Sequence, residues 1–148
     1  MEKPFKVGLF PMCADLLHVG HIAAIKEAKA CCDYLIVALN TEPYGKNPIE
    51  SVYERWAKLN ELKCVDLVLP YQGREDLENV ASTFAYDVRF LGQDYINRDW
   101  DGKAEEAKRG IKPYFLQREH KFSSTEMKER VLLSSLNKHI VLKIHKEF

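Results

Sequence analysis

The chain carries no excess of either charge: 22 Lys+Arg balance 22 Asp+Glu, giving a formal net charge of zero and a pI near 7. Tracking along nucleic acid or adsorbing to an anionic membrane needs a basic excess, and this balance supplies none. Nor is there an apolar run approaching the ~20 residues of a membrane span. The opening Met1-Glu-Lys-Pro-Phe-Lys6 lacks the apolar core of a secretion signal, so the expected compartment is the cytoplasm. The four cysteines (13, 31, 32 and 64) include one adjacent pair and no CxxC, which argues against a disulfide framework or a zinc knuckle and for reduced, mostly buried thiols. An HExxH zinc motif, a GxSxG nucleophile elbow, internal repeats and low-complexity stretches are all missing. At 148 residues the chain is long enough for one real core. The expectation is one domain over 1–136, with 137–148 as its C-terminal extension.

What is present is a regular alternation of beta-rich and helical runs, the pattern of a parallel sheet with crossover helices. Lys6 to Met12 reads as the first strand, with Pro11 at its end because proline cannot donate to a central ladder. Val19 to Cys31 is the first helix. Tyr34 to Leu39 is an unbroken apolar run, as a strand buried on both faces requires. Asn40 to Glu50 is a loop holding Lys46 among Pro43, Gly45 and Pro48. Ser51-Val-Tyr-Glu54 is a capping box that opens a helix to about Lys63. Asp66–Pro70, Asp87–Leu91 and Lys112–Leu116 are the remaining strands, with helices at Arg74–Phe84 and Lys103–Arg109. A second capping box, Ser123-Ser-Thr-Glu126, opens a helix to about Leu136. The tail from Asn137 to Phe148 alternates apolar and basic residues and reads as an extra strand or a docked arm. The expected fold is α/β: a doubly wound, Rossmann-like, five-stranded parallel sheet with helices on both faces.

Four anion-friendly features follow strands: His18 with His21, Lys46, Gln93-Asp94, and Arg118 with Ser123, Ser124 and Thr125. In a doubly wound sheet the carboxyl ends of parallel strands share one edge, so these features converge there. A turn at Gly20 would let a phosphate approach the unpaired N–H groups at the first helix's start. Singly, each has a plain alternative. The histidines could be a helix-start or core pair, Lys46 a solvated loop residue and Asp94 an ordinary turn residue. Ser123 could merely cap its helix, and Arg118 could pair with Glu119 or Glu126. Metal ligation by His18 and His21 is disfavoured, because zinc helices use i,i+4 spacing with a glutamate base. His120, His139 and His145 show no partner pattern. Two donors, a lysine, an arginine and a helix N-terminus suit phosphoryl or nucleotidyl transfer, in which the protein positions reactants and neutralises charge.

Asp15-Leu-Leu-His-Val-Gly-His21 resembles the signature of the cytidylyltransferase branch of the HxGH nucleotidyltransferases, especially the glycerol-3-phosphate and ethanolamine-phosphate enzymes. The resemblance runs to about Arg130. It takes in the strand at Asp33–Leu39, the lysine loop at Lys46-Asn-Pro48, Ser51 to Arg55 with Cys64–Pro70, the Gly92-Gln-Asp94 turn, and Arg118 with Phe122-Ser-Ser-Thr125. It implies CTP and a phosphorylated alcohol giving a CDP-alcohol and pyrophosphate by direct in-line attack. By position, His18 and His21 would bind the triphosphate and stabilise the transition state, and Lys46 would hold the α-phosphate and the acceptor phosphate. Arg118, Ser123, Ser124 and Thr125 would grip the β- and γ-phosphates. Gly20 and Gly92 would lie against the nucleotide, and Asp15 and Asp94 would organise either the nucleotide or a magnesium ion held mainly by the triphosphate. Relatives of this size imply a homodimer, in which the 137–148 tail could take part.

The chain departs from that pattern at Met12-Cys-Ala-Asp15, where the family has Gly-Thr-Phe-Asp. An alternative alignment uses Gly8-Leu-Phe10 and inserts four residues before Asp15; the ungapped version is preferred. Lys63 replaces an arginine and Glu119-His-Lys121 replaces a Thr-Glu/Gln-Gly run. Phe10-Pro-Met12 resembles first-strand turns found beside phosphonate biosynthesis functions, which adds a phosphonate acceptor to the candidates. Two rival readings remain: an adenylyltransferase of the same fold acting on a phosphorylated vitamin precursor, and a catalytically idle nucleotide-binding module.

Overall fold

The computed structural model describes residues 2–117 and 121–147, the side chains of 140–147 excepted. Five parallel strands, β1 (Phe5–Met12), β2 (Cys32–Asn40), β3 (Leu67–Tyr71), β4 (Val88–Gly92) and β5 (Lys112–Leu116), form one sheet in the order β3-β2-β1-β4-β5. Helices α1 (Val19–Cys31) and α2 (Val52–Asn60) cover one face, and α3 (Gly73–Thr83) and α4 (Lys103–Lys108) the other. A fifth helix, α5, spans Ser124–Glu147. This is the doubly wound fold that the strand and helix alternation predicts.

The alternation of side chains along β2 shows why its sequence is apolar throughout. Leu35, Val37 and Leu39 pack with Ile25 and Ala28 of α1 and Leu59 of α2, while Ile36 and Ala38 pack with Leu77 and Val80 of α3. A strand with a helical layer on each side has no wet face to accommodate polar residues. Beside it, β1 presents Gly8 to β4, where an added Cβ would lie 2.3 Å from Phe90. Gly8 pairs with Leu35 and Val88 in the middle of the sheet, so it is a packing glycine and the strand-to-helix turn begins only after Met12. Pairing with β4 covers Gly8 and Leu9, and Pro11 lies past that stretch, one residue inside the strand end.

The α3/α4 face buries an ionic cluster. Arg89 on β4 pairs with Glu106 on α4 at 3.3 Å, and both side chains are almost fully enclosed. Glu106 also accepts from the Tyr86 hydroxyl (2.6 Å) and Trp100 Nε1 (2.8 Å), and Arg89 donates to the Asp101 carbonyl (2.6 Å). Buried charges persist only when paired and hydrogen-bonded in this way. The cluster ties the segment from Gly92 to Gly102, which carries Asp94, onto β4.

One sequence expectation is overturned. Residues 137–147 are not an extra strand, because α5 continues through them to Glu147. The apolar and basic residues there also fit a spacing of three to four, and no glycine or proline interrupts them. A helix already nucleated at Ser123 therefore propagates at little cost. From residue 129 to 139 α5 is exposed on every side, with Val131 (63%), Leu132 (61%), Leu133 (60%) and Leu136 (51%) open to solvent. Among the described residues no helix is long and apolar enough to cross a membrane.

The chain builds β1, β2 and β3 outward on one side, then returns to add β4 and β5 on the other. The order reverses between β1 and β4, and ligands of open α/β sheets bind outside the carboxyl ends of the strands at that point. The histidine turn leaves β1 there and Gly92-Gln-Asp94 leaves β4 there.

Candidate active site

After Met12 the chain turns sharply through two non-glycine residues in the left-handed region, Ala14 (φ 55°) and Leu16 (φ 50°). Each such residue costs on the order of 1–2 kcal/mol and persists only where neighbours over-determine it. They do so here. Arg55 Nη1 donates to the Cys13 carbonyl (2.9 Å), Leu16 N–H donates to Glu50 (2.7 Å), and the Asp15 carboxylate accepts from the N–H groups of Ile49 (3.0 Å) and Glu50 (3.0 Å). Asp15 itself is 6% exposed.

The spacing of the two histidines has a local cause. His18 is the N-cap of α1, and its Nδ1 accepts from the Gly20 N–H at 3.0 Å. His21, three residues on, returns its Nδ1 to the His18 N–H at 3.3 Å. The pair is a capping box in which imidazoles replace the usual hydroxyl and carboxylate, and the rings stack with centroids 3.9 Å apart. A ring nitrogen that accepts an N–H carries no proton, so in each neutral imidazole the proton sits on Nε2. Both histidines are thereby set as Nε2–H donors. Gly20 corrects the sequence reading: it lies buried within the first helical turn, not at a turn before it, and its N–H is given to His18. The chain reverses earlier, at Cys13 to Leu16.

The lysine loop is fastened at both ends. At its start, Arg55 reaches the carbonyls of Asn40 (2.7 Å) and Thr41 (2.9 Å), and Thr41 N–H and Oγ1 donate to the Tyr71 carbonyl. At its end, Ile49 and Glu50 sit on Asp15. Between them Lys46 stands exposed after Gly45 (φ 69°). Across β1, Asp94 follows β4 in a 3-10 turn (Gln93–Tyr95) and is exposed; an added Cβ on Gly92 would lie 2.6 Å from its Oδ1. Lys46 and Asp94 thus leave the two strands that flank β1, at the same edge of the sheet.

The first turn of α5 completes this edge. Ser123 Oγ accepts from the Glu126 N–H (3.1 Å) as the helix cap, and Ser124 Oγ donates to the Asp15 carbonyl (2.9 Å). Thr125 is exposed beside them. Lys128 Nζ lies 3.0 Å from Asp15 Oδ2. Burial pushes the Asp15 carboxyl up, but the Glu50 N–H, the Lys128 ammonium and the Ile49 N–H outweigh it and hold it below the ordinary aspartate value. A cleft of about 270 Å³ opens between the two helix starts, lined by His18 and Val19 on one side and Phe122, Ser123, Glu126, Met127 and Arg130 on the other. Arg118 lies outside the described residues, as does His120.

The sequence-derived site residues therefore fall into two sets. His18, Gly20, His21, Asp15, Ser123 and Ser124 are joined by direct contacts or a shared cleft. Lys46, Thr125, Gly92 and Asp94 share the sheet edge with them. Asp15 is occupied by backbone N–H groups and a lysine, and among the described residues no three His, Cys, Asp or Glu side chains gather as a metal site. Arg55, Glu50 and Lys128 were assigned nothing by their sequence, yet they hold the site together. Arg55 alone left a trace, since it lies four residues before Leu59 on the buried stripe of α2, where a charge needs buried acceptors.

Comparison with known proteins identifies the family. A family model described as cytidylyltransferase-like matches residues 9–130. Glycerol-3-phosphate cytidylyltransferase of Staphylococcus aureus (strain NCTC 8325 / PS 47) is 32% identical over 121 residues, covering 79% of this chain and 88% of that protein. The bifunctional protein HldE of Caulobacter sp. (strain K31) is 38% identical over 99 residues, 63% of this chain and only 20% of the relative. Among solved structures, the lipopolysaccharide core biosynthesis protein from Thermoplasma volcanium GSS1 superposes with a TM-score of 0.66 at 26% identity, over 78% of this chain and 99% of that one. With most of its length matched by the family model, the chain belongs to the cytidylyltransferase-like family and is a nucleotidyltransferase enzyme.

Proposed function

We propose that the chain transfers CMP from CTP to a small phosphorylated alcohol such as glycerol 3-phosphate, or to a phosphonate, and releases pyrophosphate. An acceptor phosphate or phosphonate oxygen attacks the α-phosphorus in line, the new P–O bond forms as the bond from the α-phosphorus to the α–β bridging oxygen breaks, and pyrophosphate leaves carrying the bridging oxygen. The observation that carries the reading is the imidazole capping box of His18 and His21, in which both Nδ1 atoms accept backbone N–H groups at the start of α1 and each neutral ring keeps its proton on Nε2. Preorganised donors of this kind stabilise the charge that develops on phosphate oxygens. Lys46 neutralises the α-phosphate and the acceptor, while Ser123, Ser124, Thr125 and, by position, Arg118 take the β- and γ-phosphates at the start of α5.

Asp15 is filled by protein donors, and among the described residues no three His, Cys, Asp or Glu side chains gather to hold a metal ion. Magnesium would come in with the CTP triphosphate, which would hold most of it, and would neutralise part of the phosphate charge. Its place of action is the cytoplasm.

The deciding experiment is a pyrophosphate-release panel. CTP and ATP are each offered with glycerol phosphate, ethanolamine phosphate, choline phosphate and aminoethylphosphonate. Release with CTP and one of these acceptors is expected. Better use of ATP would replace the reading with adenylyl transfer, and no release with any pair would leave a nucleotide-binding module.

The same reading includes a homodimer. Its support is the uncovered stretch of α5. An antiparallel pair of these helices would set Leu132, Leu133 and Leu136, which share one face of α5, against the same residues of the second copy. Sizing should give a dimer that Leu136→Glu converts to monomer; a monomeric parent, or a dimer indifferent to that change, would refute the seam.

A further inference from the structure

Ser124 and Lys128 lie four residues apart on one face of α5, and both end on the same residue. Ser124 Oγ donates to the Asp15 carbonyl at 2.9 Å, and Lys128 Nζ pairs with Asp15 Oδ2 at 3.0 Å. The carboxylate that Lys128 grips also accepts from Ile49 and Glu50, the residues that end the lysine loop. Asp15 sits in the left-handed turn that delivers His18 to the cap of α1. Three segments far apart in the chain, the histidine turn, the lysine loop and the start of α5, therefore meet at one enclosed carboxylate. Without a cation there, that carboxylate would be charged, 6% exposed and held by backbone N–H groups, and α5 would lose its ionic hold on the turn and keep the Ser124 hydroxyl bond.

We propose that Lys128 is a positioning residue: acting through Asp15, it holds Ser123-Ser124-Thr125 and the lysine loop in register with His18 and His21. The assignment rests on the nucleotidyl-transfer reading for its catalytic consequence, but not for its structural one. Lys128 differs in this from Lys46, which is exposed in mid-loop. Its ammonium is committed to a protein carboxylate, and its side chain is 37% exposed against 7% for that of Asp15. The distinction matters because a lysine that touched the triphosphate itself would lose rate independently of Asp15.

A double-substitution cycle separates the two roles. Lys128→Met is expected to lower kcat/KM for CTP by about 10- to 100-fold, the scale of an ångström-level misplacement. Lys128→Arg is expected to restore most of the loss, because a guanidinium also satisfies the carboxylate. In an Asp15→Asn background, Lys128→Met is expected to add less than about twofold. Multiplicative losses would overturn the proposal and make Lys128 a direct phosphate ligand. A second readout needs no turnover. Amide exchange at Ile49 and Glu50 should accelerate in Lys128→Met, because their acceptor is no longer held; unchanged exchange would also overturn it. If the CTP reaction itself proves wrong, the exchange arm still decides whether the latch exists. Should Lys128→Met fail to fold, Lys128→Gln, which keeps the stem and a donor, takes its place in both arms.

Discussion

Replacing His18 by alanine is expected to cut turnover with CTP by about 10²–10³-fold, the usual cost of removing one preorganised donor from a developing charge. The fold is expected to survive. His18 caps α1 through the Gly20 N–H, and losing a cap costs about 1 kcal/mol, or roughly 2–4 °C in Tm for a chain of this length. The two effects can be separated. Asparagine is among the best N-caps, and its side-chain oxygen can accept the Gly20 N–H, but it offers no Nε2–H to a phosphate. His18→Asn should therefore melt close to the parent while losing turnover as fully as alanine. Parent-like turnover in either variant would remove His18 from the chemistry and leave it a helix cap.

Arg55→Met is expected to damage both stability and turnover. The Arg55 guanidinium is 2% exposed and donates to three carbonyls, those of Cys13, Asn40 and Thr41. Methionine fills similar space and donates nothing. Each carbonyl left buried without a donor costs about 1–3 kcal/mol, a heavy loss against a typical total of ~5–15 kcal/mol. The same carbonyls belong to the histidine turn and to the start of the lysine loop. Their release should let Ala14 and Leu16 relax out of the left-handed region and carry His18 away from Lys46. Lysine at position 55 should be intermediate, because one ammonium cannot match the planar fork that reaches three acceptors. Urea unfolding followed by fluorescence, together with turnover on the same samples, checks this. A parent-like unfolding midpoint in Arg55→Met would show that the three hydrogen bonds contribute little. Loss of stability with full turnover would show that the turn does not depend on them.

These two substitutions probe different links in the chain from sequence to function. His18 acts at the reacting end and contributes little to folding. Arg55 holds the backbone from which His18 projects, and its effect on the reaction follows from that. Lys128 is of the second kind, although it lies on the surface of a late helix.

Much of the fold was legible because its cause is local and periodic. The unbroken apolar run of β2 could only be a strand with helices on both sides, and the Ser51 capping box placed the start of α2 correctly. The tail beyond Asn137 was misread because apolar and basic residues there satisfy two periods at once. What decides between them is the continuity of a helix nucleated at Ser123, which lies outside the tail itself. Gly20 was misread for a related reason. A glycine between two histidines suggests a turn, yet the histidines form a capping box that makes Gly20 helical.

By itself the sequence determined the order of elements, the doubly wound class, the histidine pair at a strand-to-helix junction and the resemblance to one nucleotidyltransferase family. Each of these depends on residues close together in the chain, where spacing and backbone preference act directly. Only the tertiary structure decided how the site is held. It made Asp15 a junction rather than a free carboxylate, brought Lys128 onto it from more than a hundred residues away, and turned Arg55 toward three carbonyls. Those contacts join residues with no shared period or motif, and they come together only when the sheet sets the ends of β1 and β2 and the start of α5 side by side.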